Sequence, residues 1–506
     1  MSKIRIGSGE AEQQIEAGTG QSLLEVLREA GAPIAAPCGG TGRCGKCRVR
    51  LTDAAGSREV LACQTLVTGD AWVETDAPGG GAILTESADT AAVDPGAEGL
   101  GAAVDLGTTT VVVELVDLKT GKRRGTESAW NAQAAYGADV ITRAQYCMEK
   151  ADGLETLHKV IRGQVDTLLR RLDCEKKDLK EIFVAGNTVM QHLFAGLDPR
   201  SIAVAPFTPL TLFDGDEPQE PGLAYAPCVA GYVGGDITAG LLASGLYERE
   251  ERSLFLDIGT NGEMALGGRD GFLCCAVASG PAFEGAGIAC GMTGVEGAVS
   301  HARFDGARLS LDVIGGGKPR GICGSGLIDL TAALCQKGII SAGGLLLGPD
   351  EAPEEFADTL GEDENGNGIF YLTEDRSVYL TARDVRQLQL AKAAVAAGIQ
   401  VLLQKAGLTV QDVGRLYLAG GFGSYMDVSS AAAIGMLPAA LVQKTVLLGN
   451  ASLTGARMAL LDHTAREKLR AIQGACRYLE LSGDADFSRE FPDNMYFYEE
   501  DEDEWN

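Results

Sequence analysis

Apolar and polar positions alternate over Lys3-Ile4-Arg5-Ile6 and predict a strand, whereas QSLLEVLREA at 21–30 repeats its apolar positions at helical spacing. Arg48-Val49-Arg50-Leu51 predicts another strand, and the run from Val60 to Cys63 a further one. From about 76 to 99 the chain becomes rich in Gly, Ala and Pro and loses periodicity, which reads as a linker. Beyond it the pattern changes. AAVDLGTTTVVV at 102–113 is a buried strand, a tight turn at a glycine and a second, β-branched strand. LFLDIGTNGEMAL at 254–266 repeats that design about 150 residues later. LYLA at 416–419 predicts an apolar strand that ends in Gly420-Gly421-Phe422-Gly423. DITAGLLASG at 236–245 and NASLTGA from 450 read as helices of small residues, able to cross a neighbour closely and act as a hinge.

Composition bounds this picture. A chain of 506 residues has room for two to four domains with ample core. Its 68 glycines are about twice the usual share and imply many tight turns. The formal net charge of −27 argues against nucleic acid or an anionic membrane as partner. Thirteen cysteines occur without a disulfide framework, no signal peptide opens the chain, and no apolar run reaches membrane-spanning length. A reducing cytoplasm is therefore expected.

Four of the cysteines carry chemistry. Cys38, Cys44, Cys47 and Cys63 follow the spacing C-x5-C-x2-C-x15-C, with glycines at 39, 40, 42 and 45 that let a loop curl and aim amides at sulfur. Such a quartet suits a two-iron, two-sulfur cluster. Zinc or simple thiols remain the competing readings, although zinc prefers two C-x2–4-C pairs and only Cys44–Cys47 is one. Strand, strand, helix, cysteine loop, strand is the order of a β-grasp ferredoxin. The spacing resembles the adrenal and bacterial C-x5-C-x2-C type, with a shorter last interval.

The two D-x-G-T turns offer backbone amides to phosphate oxygens and an Asp to hydrated Mg²⁺. In order, phosphate turn, small helix, phosphate turn, adenosine segment and small helix resemble the ASKHA superfamily of acetate and sugar kinases, Hsp70 chaperones and actin. The fold class expected is α/β multidomain: an N-terminal β-grasp [2Fe-2S] ferredoxin domain followed by a two-lobed ASKHA ATPase, its halves facing across a cleft. The expected boundaries are 1–77 for the ferredoxin domain, 78–99 for the linker, 100–252 and 253–495 for the lobes, and 496–506 for an acidic tail.

Nine motifs in order narrow the resemblance: APCGGTGRCGKC, AVDLGTTT, AGNTVMQHLFAG, GYVGGDITAG, LDIGTNGE, ASGPAFEGAGI, GICGSGLIDL, LYLAGGFGSYMD and GNASLTGA. With the cysteine module in front, the chain resembles the ATP-dependent reductive activators of corrinoid proteins. Larger relatives carry a middle domain between linker and ATPase, whereas here the linker runs almost directly into Val104. The resemblance implies ATP-dependent one-electron reduction of Co(II) to Co(I) in the corrinoid protein of a methyltransferase system, a low-potential electron donor, and a homodimer. By motif, Cys38, Cys44, Cys47 and Cys63 ligate the cluster, and Asp105 and Asp257 hold Mg²⁺ or position water. Gly107, Thr108, Thr109, Gly259, Thr260, Asn261 and Gly262 cradle phosphates. Gly420, Gly421 and Ser325 border the nucleoside of ATP. Asp236 and Glu263 are candidates for orienting the attacking water, with turn capping as the plain alternative.

Other residues receive a plain reading. His158, His192, His301 and His463 share no spacing, and Cys274, Cys275, Cys290 and Cys323 sit in apolar or glycine-rich surroundings. Two rival functions stay open: electron donation to another low-potential acceptor such as a dehydratase, and a redox-sensing ATPase or chaperone-like module.

Overall fold

The computed structural model describes residues 1–497 except 9–10, 33, 35, 37–39, 41, 43–46, 76–91 and 216–219. Two compact units result, one drawn from 1–80, 91–234 and 460–462, the other from 235–459 and from 463 onward.

The first unit opens with a five-stranded sheet in the order β2-β1-β5-β3-β4, built from β1 (Ser2–Ser8), β2 (Ala11–Ala17), β3 (Arg48–Asp53), β4 (Gly56–Leu61) and β5 (Ala71–Glu74). Alternation in β1 puts Ile4 and Ile6 inward while Lys3 and Arg5 face solvent. Helix α1 (Leu23–Glu29) closes over them with Leu23, Leu24, Val26 and Leu27. This is the expected β-grasp order, with one difference. Cys63 does not extend a strand: β4 ends at Leu61, and Ala62–Gln64 form a 3-10 turn whose first amide donates to the Cys47 carbonyl at 2.8 Å. The bend brings Cys63 back to the cysteine loop, which a straight strand would carry it past.

A second sheet follows in the same unit: β6 (Leu100–Leu106), β7 (Thr110–Asp117), β8 (Arg123–Trp130), β9 (Leu179–Gly186) and β10 (Leu223–Tyr225), in the order β10-β9-β6-β7-β8. The first three strands form an antiparallel meander, and β9 joins β6 in parallel. Val104, Val111, Val112 and Val113 are all fully buried, so both faces of the sheet are covered and the sequence shows no alternation there.

The second unit repeats the plan. Strands β11 (Ser253–Ile258), β12 (Gly262–Gly268) and β13 (Gly271–Val277) form the meander. Two three-stranded sheets are inserted, one with β14 (Ala298–Asp305) between β15 (Arg308–Val313) and β16 (Gly321–Ile322), the other with β18 (Gly368–Tyr371) between β17 (Leu360–Glu362) and β19 (Tyr379–Thr381). Then β20 (Leu416–Ala419) joins β11 in parallel, β21 (Thr445–Leu447) flanks β20, and β22 (Cys476–Tyr478) adds an edge beyond β13. The order β21-β20-β11-β12-β13 matches β10-β9-β6-β7-β8 position for position. The repeated turn motif thus marks a repeated fold.

The small-residue stretches do what their composition requires. A Cβ on Gly455 would lie 2.1 Å from the Ala239 carbonyl oxygen, so α2 (Gly235–Ser244) and α3 (Ala451–Leu461) cross backbone to backbone. The C-terminal boundary needs correction. Residues 496 and 497 belong to the fold, because Phe497 is buried and its amide donates to the Ala342 carbonyl at 2.7 Å. The acidic run itself, and residues 78–91 of the expected linker, lie outside the described residues.

Candidate functional site

Of the cysteine quartet, Cys38 and Cys44 lie outside the described residues. Cys47 is buried at the start of β3, and Cys63 sits on the 3-10 turn, their sulfurs 3.2 Å apart. That distance is too long for a disulfide and short enough for both thiolates to bind one metal. Gly40 and Gly42 adopt φ of +97° and +80°, which only glycine takes without strain. Cys47 and Cys63 therefore fit two ligands of one cluster.

The first D-x-G-T turn joins β6 to β7. Three successive carbonyls are held from one side: Asn131 Nδ2 donates to Gly107 O at 2.8 Å, Arg143 Nη2 to Thr108 O at 2.6 Å, and the Asn131 amide to Thr109 O at 2.8 Å. In a trans peptide each following N–H points the opposite way, so the amides of Thr108 and Thr109 face away from Asn131 and Arg143. Such an edge suits an anion. Arg143 is fully buried, its other donors engaging Gly137 O at 3.0 Å and Met190 Sδ at 3.0 Å. A positive charge therefore lies directly behind the turn. Gly107 has an ordinary φ; it is glycine because a Cβ would sit 2.6 Å from Thr110 O.

The second turn joins β11 to β12 and has different company. Ser279 Oγ donates to Gly259 O and Thr260 O at 3.2 and 3.3 Å, and Thr260 Oγ1 donates to Glu284 Oε1 at 2.8 Å. Glu263, buried on β12, has its pKa raised well above 4.5, first by desolvation and then by the charges of Asp236 and Asp257, while a hydrogen bond from Asn261 partly offsets this. Three of the expected carboxylates, Asp236, Asp257 and Glu263, are thus gathered in one place. Asp105 ends β6 in the other unit. Gly420, with φ of +83°, presses on Asp257: a Cβ there would be 2.3 Å from Oδ1.

Gly420–Tyr425 form a short helix on the end of β20, with Phe422 stacked on Phe283 at 4.7 Å and 18°. Gly421 is open to at least 4 Å. The Ser325 hydroxyl donates to Ser300 O at 2.9 Å, a contact that ties α4 (Gly324–Gln336) to β14.

Asn131, Arg143, Ser279 and Glu284 carried no role in the sequence reading. Arg143 falls at an inward position of the helix Val140–Glu149 and resembled an ordinary helical charge. Glu284 was visible only as one letter of the ASGPAFEGAGI motif.

Known proteins show how far these features extend. A 2Fe-2S iron-sulfur cluster binding domain matches residues 7–68, the RACo middle region matches 100–249, and the C-terminal ASKHA domain of RACo matches 251–506. The chain belongs to the RACo family of reductive activators. Its ferredoxin domain binds a [2Fe-2S] cluster and its ASKHA domain binds ATP. One RACo relative, the corrinoid activation enzyme RamQ of Eubacterium limosum, is 34% identical over 420 residues, covering 78% of this chain and 70% of the relative. Another, the [Co(II) methylated amine-specific corrinoid protein] reductase of Methanosarcina barkeri, is 24% identical over 408 residues, covering 72% and 70%. A solved reductive activator for corrinoid, iron-sulfur protein superposes with a TM-score of 0.70 at 32% identity, covering 98% of both chains. The expectation that a middle domain is missing is corrected by these matches. Residues 100–249, read from sequence as a first ATPase lobe, are themselves the RACo middle region, because that region carries the first copy of the repeated sheet.

Proposed function

We propose that this protein catalyses ATP-dependent one-electron reduction of a Co(II) corrinoid protein to Co(I), serving a methyltransferase system in the cytoplasm. The observation that carries the reading is the match over 98% of the chain to a reductive activator, with an iron-sulfur domain ahead of an ASKHA domain in this chain. A cluster held by Cys38, Cys44, Cys47 and Cys63 supplies one-electron transfer when bound. Return to Co(I) lies below ordinary donors, and plant-type clusters sit at about −400 mV. Each ~1.4 kcal/mol of coupling shifts a one-electron equilibrium by about 59 mV, so several kcal/mol from ATP moves the balance by a few tenths of a volt. Such coupling requires that nucleotide prefer one conformation over another.

The roles divide between the turns. Amides of Thr108 and Thr109, with Gly107 and the Arg143 charge behind them, bind phosphate oxygens. Gly259, Thr260, Asn261 and Gly262 form the second cradle. Asp257 and Asp105 carry Mg²⁺ or position water, and Asp236 and Glu263 orient the attacking water. A cation held by Asp257 would offset the charges that raise the Glu263 pKa and leave that carboxyl able to accept a hydrogen bond from the water. Gly420 and Gly421 border the nucleoside. A low-potential donor feeds the cysteine module, and a homodimer is the working form.

The test mixes the reconstituted protein anaerobically with a Co(II) corrinoid protein, a strong reductant and ATP, and follows Co(I) absorbance. Co(I) should accumulate only with ATP. Equal reduction without ATP would falsify the coupling, and ATP hydrolysis with no cobalt response would move the acceptor to another class, such as a dehydratase.

A further inference from the structure

The ferredoxin module and the sheet of the middle region belong to one compact unit, and among the described residues Arg28 joins them by directional contacts. Arg28 lies in the last turn of α1. Its Nε donates to the Ala135 carbonyl at 2.7 Å, Nη2 donates to the same oxygen, and the guanidinium carbon lies 5.0 Å from the centre of the Tyr136 ring. A planar cation on a ring, with two donors on one carbonyl, is a directional contact that lysine reproduces only in part. Apolar packing surrounds it. Ala135 is buried in the ferredoxin core, and Tyr136 packs against that core and the core of the second sheet. On the other side, a Cβ at Gly40 would be 3.9 Å from both Arg28 Nη2 and Cys63 Cβ, so the guanidinium and a candidate ligand flank the same glycine.

The segment that Arg28 grips is anchored at its other end by the first phosphate turn. Asn131 bonds Gly107 O and Thr109 O, and only the 3-10 turn Ala132–Ala135 separates it from Tyr136. That turn is stiff. Asn131 Oδ1 accepts from the Gln133 amide at 2.9 Å, the Tyr136 amide donates to Gln133 O at 2.8 Å, and the buried Gln133 side chain donates to Leu157 O at 2.9 Å. A displacement of the Gly107 and Thr109 carbonyls therefore reaches Ala135 largely undamped.

We propose that Arg28 and Asn131 are positioning residues that couple nucleotide at the first phosphate turn to the docking of the ferredoxin module. The turn as found here holds Ala135 and Tyr136 where Arg28 can clasp them. A triphosphate on the Thr108 and Thr109 amides shifts Asn131, loosens the clasp and frees the module to meet its electron acceptor. This rests on the reading of Gly107–Thr109 as a phosphate turn. Linkage is reciprocal: if triphosphate weakens the clasp, breaking the clasp must tighten triphosphate by the same factor.

The sign of that effect makes the test sharp, since mere structural damage would weaken binding. Binding of a non-hydrolysable ATP analogue with Mg²⁺ is measured on the cluster-loaded full chain by calorimetry, with hydrogen exchange of α1 and residues 131–137 followed by mass spectrometry. Arg28→Ala should bind the analogue about tenfold tighter than wild type, a coupling of ~1.4 kcal/mol, with Arg28→Lys in between. In wild type the analogue should raise exchange of both segments to the level that Arg28→Ala shows alone. Equal or weaker binding by both variants, or exchange that the analogue leaves unchanged, overturns the coupling. Thr109→Val separates the two readings. If it leaves analogue affinity untouched, the phosphate turn is wrongly assigned; if it weakens binding while Arg28→Ala changes nothing, the turn stands and the clasp fails.

Discussion

The turns at Gly107 and Gly259 occupy the same place in two sheets that share five strands in one order, yet they are built with opposite chemistry. At the first, an asparagine and a fully buried arginine hold the carbonyls of Gly107, Thr108 and Thr109. At the second, a serine hydroxyl holds the carbonyls, and Asp236, Asp257, Glu263 and Glu284 surround the turn with acid. Sterics differ too: Gly107 has no room for a Cβ, whereas a Cβ on Gly259 would meet nothing closer than 3.9 Å. A stiff turn with a cation behind it favours holding an anion and passing on its arrival. A turn amid carboxylates favours holding a cation and handling a proton. The same strand order thus carries two turns whose surroundings differ in charge.

The largest expected effect lies at the acidic turn. Asp257→Asn should lower steady-state ATP hydrolysis by about a thousandfold, while Asp105→Asn, at the equivalent strand end, should cost about tenfold. Equal losses would erase the contrast. Next comes the cation behind the first turn. Arg143→Met should lower unfolding stability in urea by about 3 kcal/mol, because it removes charged hydrogen bonds from the Thr108 and Gly137 carbonyls and from the Gln133 and Met190 side chains, against about 1 kcal/mol for Ser279→Ala at the second turn.

A pH titration sharpens the same point. Burial and the charges of Asp236 and Asp257 keep Glu263 protonated in the fold at pH values where the unfolded chain has released that proton. Its stabilising contribution is thus complete below about 4.5 and is lost as pH rises towards the raised pKa, at ~1.4 kcal/mol per unit. Glu263→Gln should flatten that slope in thermal melts without divalent cation; an unchanged slope would place the acidity elsewhere. The smallest effect concerns Ser325. With its hydroxyl on Ser300 O, Ser325→Ala should cost about 1 kcal/mol of stability. A larger change in ATP over GTP preference than in stability would restore it to the nucleoside.

Much of this was legible from sequence because it depends on local pattern. The continuous apolar run at 102–113 and its repeat at 254–266 mark the central strands, since a strand buried on both faces has no polar side to display. Cys47 and Cys63 meet as their spacing implied. What stayed hidden depends on tertiary placement. Nothing in Val140–Glu149 distinguishes Arg143 from a solvated charge, because its acceptors come from Thr108, Gln133, Gly137 and Met190 on other segments. The bend that carries Cys63 was missed because Val60 to Cys63 reads as uninterrupted strand. The middle region was misread for the opposite reason: its sheet is so close a copy of the second that pattern alone assigns both to one ATPase.

The division of labour is tested most directly by the number of ATP molecules hydrolysed for each Co(II) reduced, in wild type and in Arg28→Ala. Hydrolysis should continue in the variant while the ATP spent per cobalt rises, because the acidic turn still works and docking of the freed module is no longer timed to nucleotide. An unchanged ratio, or hydrolysis and reduction falling together, would contradict the account.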